Sequence, residues 1–223
     1  MKPKIKICGV TSVEEIKLLE THNVTYAGLW HGIPEGRYNL QLSQLKQLVA
    51  SATDSLEFLL VTMSHDLKLL AQACDQGSIK GIQFHGFHLP AFINQVKQEL
   101  GSDVKIFKVL HVQSNRCVES NLIERYIEAG TDYFILDTFQ NKQQIGSTGI
   151  RLADDFIKDF FHKWKIQDKT MIAGGIDETC LESIYESHKP FGFDIDSAAR
   201  THGVICKQRL STIMRPSLPL KYA

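Results

Sequence analysis

The segment Lys4-Ile5-Lys6-Ile7-Cys8-Gly9-Val10-Thr11-Ser12-Val13-Glu14-Glu15-Ile16-Lys17-Leu18-Leu19 holds one full turn of the pattern that decides the fold. A short β-prone run ends at the glycine after Cys8. Thr11 or Ser12 can then cap a helix, with Glu14 or Glu15 reaching back, while Val13, Ile16, Leu18 and Leu19 supply one apolar face. Similar runs recur about every 25 residues, at Lys4–Cys8, Thr25–Trp30, Glu57–Val61, Ile79–Phe84, Lys105–Leu110, Asp132–Leu136, Thr170–Ala173 and Phe191–Ile195. Each is nearly continuously apolar, as suits a parallel strand covered on both faces. Further helical faces are Leu42, Leu45, Leu48 and Val49, then Leu122, Ile123, Tyr126 and Ile127, then Leu181, Ile184 and Tyr185. Eight alternating units without a Pro/Gly-rich linker predict the α/β class and a single (β/α)8 TIM barrel over residues 1–223, with 214–223 as a C-terminal tail. The competing open doubly wound sheet lacks its Gly-x-Gly-x-x-Gly turn after the first strand.

Composition narrows the function. The 223 residues suit one such barrel, and 43% hydrophobic against 22% charged residues supports a packed core. The 25 Lys+Arg balance 25 Asp+Glu, which removes the basic footprint that a nucleic-acid partner requires. No apolar run approaches the roughly 18 residues of a membrane span, and the Lys-rich start has no apolar stretch of a secretion signal behind it. The five cysteines are widely spaced without Cys-x-x-Cys, which reads as reduced thiols in a cytoplasmic protein.

In such a barrel, chemistry gathers at the C-terminal strand ends. Those positions hold Cys8, the loop Trp30–Arg37, Thr62, His85, Lys108, Asp137, Gly146–Gly149, Gly174-Gly175 and Asp194–Arg200. Cys8 is a site thiol or a buried structural one; with a pKa near ~8.5 it serves as a base only where its surroundings favour the thiolate. Asp137 is a site acid or a turn aspartate, and its position alone does not separate the two. The turns Gly146-Ser147-Thr148-Gly149 and Gly174-Gly175 let backbone N–H groups approach a phosphate. Arg37 can clamp a carboxylate or remain a solvated loop arginine. His85 and His88 are spaced as His-x-x-His without an acidic or thiol partner, so no metal site is expected. His162 and His188 read as surface helix residues, and Trp30 and Phe84 as barrel packing.

Six motifs together resemble one family. Lys6-Ile7-Cys8-Gly9-Val10-Thr11 resembles the opening motif of phosphoribosylanthranilate isomerases, as do Gln83-Phe84-His85-Gly86 and Leu136-Asp137. Gly146-Ser147-Thr148-Gly149 is similar to that family's Gly-Gly-Thr-Gly, and Ala173-Gly174-Gly175 to its Ala-Gly-Gly. Arg37 followed by Tyr38 falls at the family's arginine position. The matches run in order from residue 4 to about residue 205.

The resemblance implies a (β/α)8 barrel that converts N-(5-phosphoribosyl)anthranilate to its 1-deoxyribulose 5-phosphate isomer, an Amadori rearrangement of tryptophan biosynthesis that needs no cofactor. It implies Asp137 as the acid that opens the sugar ring and Cys8 as the base that removes the C2′ proton. Arg37 would hold the anthranilate carboxylate, with Gln83, His85, Lys108 and Asp194 as further substrate contacts. Gly146, Ser147, Thr148, Gly149, Gly174, Gly175 and Ser197 would hold the phosphate. The partner is then a small phosphosugar, with neither nucleic acid nor membrane, and the protein a monomer or homodimer.

Departures lie in the recognition loops. The family's Asp-Val-Ser-Ser-Gly-Val-Glu is here Asp194-Ile195-Asp196-Ser197-Ala198-Ala199-Arg200, and its Gly-Phe-Val-Phe type strand end is Gly28-Leu29-Trp30-His31. Either Asp196 turns away from the phosphate or the ligand is less anionic there. Two alternatives follow: a diverged isomerase for another aminosugar or sugar phosphate, and a non-catalytic metabolite-binding barrel. Retention of both Cys8 and Asp137 counts against the second.

Overall fold

The computed structural model describes residues 2–53, 55–75, 79–141, 144–145 and 149–215. Eight parallel strands form the barrel: β1 (Lys4–Cys8), β2 (Tyr26–Trp30), β3 (Glu57–Thr62), β4 (Ile79–Phe84), β5 (Lys105–Gln113), β6 (Tyr133–Asn141), β7 (Thr170–Ile172) and β8 (Gly192–Ile195). They follow one another around the ring, β8 pairs with β1, and β6 pairs with both β5 and β7, so the sheet has no open edge. Between and after them lie α1 (Val13–Thr21), α2 (Leu42–Ala50), α3 (Leu67–Cys74), α4 (Pro90–Leu100), α5 (Ile123–Glu128), α6 (Asp154–Trp164), α7 (Leu181–His188) and α8 (Lys207–Ile213). Among the described residues, no helix is long and apolar enough to cross a membrane.

Local chemistry accounts for the boundaries. Ser12 is the cap of α1: its hydroxyl accepts from the Glu15 amide, while the Glu15 carboxylate reaches back to the Thr11 amide at 2.7 Å. Asp66 caps α3 by accepting from the Lys68 and Leu69 amides. Pro90 opens α4, where the missing N–H has no helical partner to lose.

Strand alternation sorts side chains into two shells. Along β1, Ile5 and Ile7 pack outward among the helices, while Lys6 and Cys8 turn inward. Tyr26, Leu59, Phe107, Val109, Ile135, Met171 and Ala173 fill the barrel interior. Tyr133 stacks on Phe107 at 4.7 Å and meets Phe191 at 4.6 Å, closing the N-terminal end of the barrel with aromatic rings. The C-terminal end is polar.

Two strands outrun their expected ends. β5 continues to Gln113 and folds back through Ser114 and Asn115, both at positive φ, into the short strand Arg116–Cys117. That two-residue reversal is the turn whose twist matches paired strands. β6 likewise continues to Asn141 and pairs with Gln144–Ile145.

Candidate active site

Inward positions at the C-terminal ends of the strands converge on one cleft. Cys8 from β1, Trp30 from β2, Gln83 from β4, Asp137 from β6 and Asp194 from β8 line it, with His85, Gly149, Ala173, Gly174, Gly175, Asp196 and Ser197 from the loops. Cys8 and Asp137 stand on strands three places apart by one way around the ring and five by the other. The two therefore approach a bound molecule from different sides.

Beneath them lies a buried charge pair. The Lys6 ammonium donates to Asp194 Oδ1 at 2.6 Å, and Gln83 Nε2 donates to Asp194 Oδ2 at 3.3 Å. Burial disfavours the Lys6 charge, but Asp194, with help from Cys8, outweighs it and holds the ammonium above the usual lysine range. Burial pushes the Asp137 carboxyl up to about 7, and the Asp194 charge adds to it. Burial likewise pushes the Cys8 thiol up to about 11; Lys6 pulls it down, Asp194 and Asp196 push it up, and the Trp30 indole N–H, 3.1 Å from Sγ, pulls it down.

The glycine turn after β7 requires glycine twice. Gly174 and Gly175 both have positive φ; a Cβ on Gly174 would lie 2.5 Å from Thr138 Oγ1, and one on Gly175 would lie 2.8 Å from the Gly149 carbonyl. The turn is thereby pressed against the segment that begins at Gly149, and the half-buried Gly174-Gly175 meets the exposed stretch 149–151 beside the cleft.

A three-residue clamp closes the other rim. Asp196 Oδ2 accepts from Arg37 Nη2 at 2.7 Å, and Asp196 Oδ1 accepts from Arg200 Nε at 2.8 Å. Arg200 is buried and also donates to the Cys8 and Gly9 carbonyls, each at 2.7 Å, and to the Gly203 carbonyl. Both guanidinium groups lie over the Tyr38 ring, Arg37 at 4.7 Å and Arg200 at 4.2 Å.

A family model for N-(5'-phosphoribosyl)anthranilate (PRA) isomerase matches residues 5–214. The chain belongs to the phosphoribosylanthranilate isomerase family. It is 27% identical over 213 residues to the N-(5'-phosphoribosyl)anthranilate isomerase of Staphylococcus haemolyticus, covering 95% of this chain and 96% of that one. It is 24% identical over 210 residues to the enzyme of that name from Lachnoclostridium phytofermentans, covering 90% of each. Its fold is similar to the solved N-(5'-phosphoribosyl)anthranilate isomerase of Pyrococcus furiosus, with a TM-score of 0.74 at 21% identity over 96% of this chain and 97% of that one. The Thermus thermophilus phosphoribosyl anthranilate isomerase superposes with a TM-score of 0.76 at 16% identity, covering 95% and 96%.

Of the residues that the isomerase motifs single out, Cys8, Gln83, His85, Asp137, Gly149, Gly174, Gly175, Asp194 and Ser197 are brought to the cleft. Arg37 stands at its rim, its side chain 55% exposed and engaged by Asp196. Gly146, Ser147 and Thr148 lie outside the described residues. Lys108 is corrected: it falls on the outward side of β5, next to inward Phe107 and Val109. Its ammonium is buried behind the sheet, donating to the Gly86 and Val109 carbonyls and facing Glu119 at 3.4 Å. Burial lowers it to about 8, against the pull of Glu119. Trp30 is also corrected, since it lines the cleft instead of only packing the barrel. His188 is half-buried and bonded to Asp154 at 2.6 Å. His88 is buried, with Nε2 against the Ser64 carbonyl, and burial lowers it to about 4.

Two groups of isomerase residues escaped sequence reasoning. Lys6 shares the inward parity of Cys8, two residues along the same strand, and that parity was the available signal. His111 and Glu119 form a buried pair at 2.7 Å, with His111 Nε2 held at 2.9 Å to the His85 carbonyl. They back the loop that carries His85, and nothing in their spacing announces it.

Proposed function

We propose that the protein catalyses the Amadori rearrangement of N-(5-phosphoribosyl)anthranilate to 1-(2-carboxyphenylamino)-1-deoxyribulose 5-phosphate, the isomerisation of tryptophan biosynthesis, in the cytoplasm. One barrel domain carries the site; of the tail expected over 214–223, residues 216–223 lie outside the described residues. The observation that carries this reading is the pairing of Cys8 and Asp137 in one cleft, the latter keeping its proton up to about pH 7. An aldose–ketose isomerisation needs one donor and one acceptor held around a fixed sugar.

Asp137 donates its proton to the ring oxygen, the C1′–O bond breaks, and the anilino nitrogen becomes a cationic Schiff base. Cys8 as thiolate takes the C2′ proton, the C–H electron pair enters the C1′–C2′ bond, and the C=N pair returns to nitrogen. The neutral enolamine then tautomerises to the ketone. The resting thiol titrates far above neutrality, but the cationic nitrogen formed in the first step, two carbons from the C2′ proton, favours loss of the thiol proton to solvent and so the thiolate.

The remaining contacts hold the substrate. Backbone N–H groups around Gly149 and Gly174-Gly175, with Ser197, suit the phosphate; Gly146, Ser147 and Thr148, given the same role by the family motif, lie outside the described residues. Among the described residues, Gln83 Oε1 is buried without a hydrogen-bond partner and suits a sugar hydroxyl, alongside His85 and Asp194. Arg37 suits the anthranilate carboxylate. Asp196 lines the cleft, yet both its oxygens are taken by arginines, so the charge conflict that pointed to a different substrate is neutralised.

The decay of phosphoribosylanthranilate fluorescence with purified protein tests the reading. Cys8→Ala and Asp137→Asn are each expected to slow it by roughly 10²–10⁴-fold with unchanged circular dichroism. Wild-type turnover in either variant would falsify the role given to that residue.

A further inference from the structure

The Cys8 sulfur has an unusual neighbour for a proton-transfer group. Trp30 ends β2 on its inward side, and its indole Nε1–H donates to Cys8 Sγ at 3.1 Å. Tyr38 holds the indole edge-on from behind, with ring centroids 5.3 Å apart. On the same strand, Gly28 lies opposite Cys8 in the β1–β2 pairing. A Cβ on Gly28 would fall 3.0 Å from Lys6 Nζ and 3.2 Å from Cys8 Sγ, so the bare backbone there lets the ammonium and the sulfur share one side of the barrel.

The remaining charged groups around the sulfur are Lys6 on β1, Asp194 on β8 and Asp196 just beyond it. Asp137 and His85 line the same cleft from β6 and the loop after β4. Lys6 is shared between Asp194, at 2.6 Å, and the Cys8 sulfur, while Arg200 donates to the Cys8 carbonyl and to Asp196. Two carboxylates oppose a thiolate, one ammonium is shared, and the indole is the neutral donor given over to the sulfur.

We infer that Trp30 is a positioning residue for the isomerisation: its indole N–H fixes the Cys8 sulfur in the cleft and stabilises it as the thiolate that takes the C2′ proton. The inference rests on the reading of Cys8 as the base. An N–H donor bonds more strongly to an anion than to the neutral thiol, so it biases the equilibrium toward the reactive form. A flat ring wedged by Tyr38 also removes the freedom of Sγ to rotate away.

The test removes the N–H and keeps the ring. Trp30→Phe is one variant; the second places 3-benzothienylalanine at position 30, which exchanges N–H for sulfur within the same outline. Two quantities are read for each: the pH profile of kcat with phosphoribosylanthranilate, and the pH midpoint of Cys8 alkylation by iodoacetamide, followed on the Cys8 peptide. Removing the donor is expected to raise both midpoints by about one pH unit, which is tenfold in thiolate at fixed pH. At pH 7, kcat then falls about tenfold while KM stays within about twofold. A kcat loss without a shift in the alkylation midpoint overturns the inference and leaves Trp30 as packing. Wild-type behaviour of both variants beside an inactive Cys8→Ala also overturns it, while the base assignment stands. Full turnover in Cys8→Ala overturns both.

Discussion

Burial holds Asp137 protonated up to about pH 7, and this has a consequence apart from catalysis. The unfolded carboxyl titrates near ~3.9, so between that pH and about 7 the folded chain keeps a proton that the unfolded chain has lost. Its stabilising contribution is complete below the unfolded pKa and is lost as pH rises through the folded one. Asp137→Asn cannot ionise. Relative to wild type, it is expected to gain stability from about pH 4 to 7 by roughly 1.4 kcal/mol per pH unit, and to gain no more above that. Urea titrations of both proteins across pH 4–9 read that difference directly; a flat difference would show that the carboxyl is not held protonated. The place of Asp137 in the cleft was legible from the isomerase motif, whereas its strand-end position alone left a turn aspartate equally open. Lys108 was misplaced because the alternation of the strand, not nearness to its end, decides which shell a side chain enters. The same alternation applied to β1 and β2 would have put Lys6 and Trp30 into the interior.

At the scale of elements, the clamp between the loops after β2 and β8 is the least ordinary part of the protein. Arg200 joins five groups: Asp196, the Cys8 and Gly9 carbonyls at the end of β1, the Gly203 carbonyl, and Glu15 of α1 at 3.4 Å. Arg200→Met leaves two carboxylates with less compensation inside the protein, and removing one partner of a buried ion pair typically costs about 3–5 kcal/mol. Arg200→Lys keeps the charge but loses the planar fork, so it is expected to recover less than half of that loss. Guanidinium denaturation curves give both numbers; a loss below about 1 kcal/mol for Arg200→Met would mean that the clamp is replaceable by solvent. Part of this element scale was readable. Residue type and spacing narrowed the cap to Thr11 or Ser12 and the back-bond to Glu14 or Glu15, of which the structure takes Ser12 and Glu15, and they placed the strand starts to within a residue. The lengths of β5 and β6 were not readable: their outer halves pair with their own hairpin returns, and such pairing leaves little trace in an apolar run. The swap of Asp196 and Arg200 looked like two separate departures because their contact exists only in three dimensions.

At the scale of the whole molecule, periodicity carried the architecture. Eight runs of the right length and spacing, covered on both faces, admit few arrangements other than a closed barrel, and the turn Gly174-Gly175 lies at its C-terminal face. What periodicity could not reveal is how the ring is sealed. β8 lies against β1 in parallel register, with Lys6 opposite Asp194, and Arg200 ties the chain beyond β8 to the carbonyls at the end of β1.

That seal sets an order in time. A ribosome makes Cys8 long before it makes Asp194, Asp196 or Arg200, so the thiol leaves the exit tunnel without the strand that will enclose it. Until β8 is added, the sulfur is expected to stand open to oxidants and alkylating agents, because β8 is the strand that pairs with β1. Stalled nascent chains ending before residue 192 are expected to label at Cys8 about as fast as an unfolded peptide, and released full-length chains at least ~10-fold slower, since the thiolate is then disfavoured and enclosed. Equal labelling in both would mean that the first strands build a shelter of their own. On the expected outcome, the base proposed for the reaction is the last part of the site to be finished, although its residue is among the earliest of the site to be made.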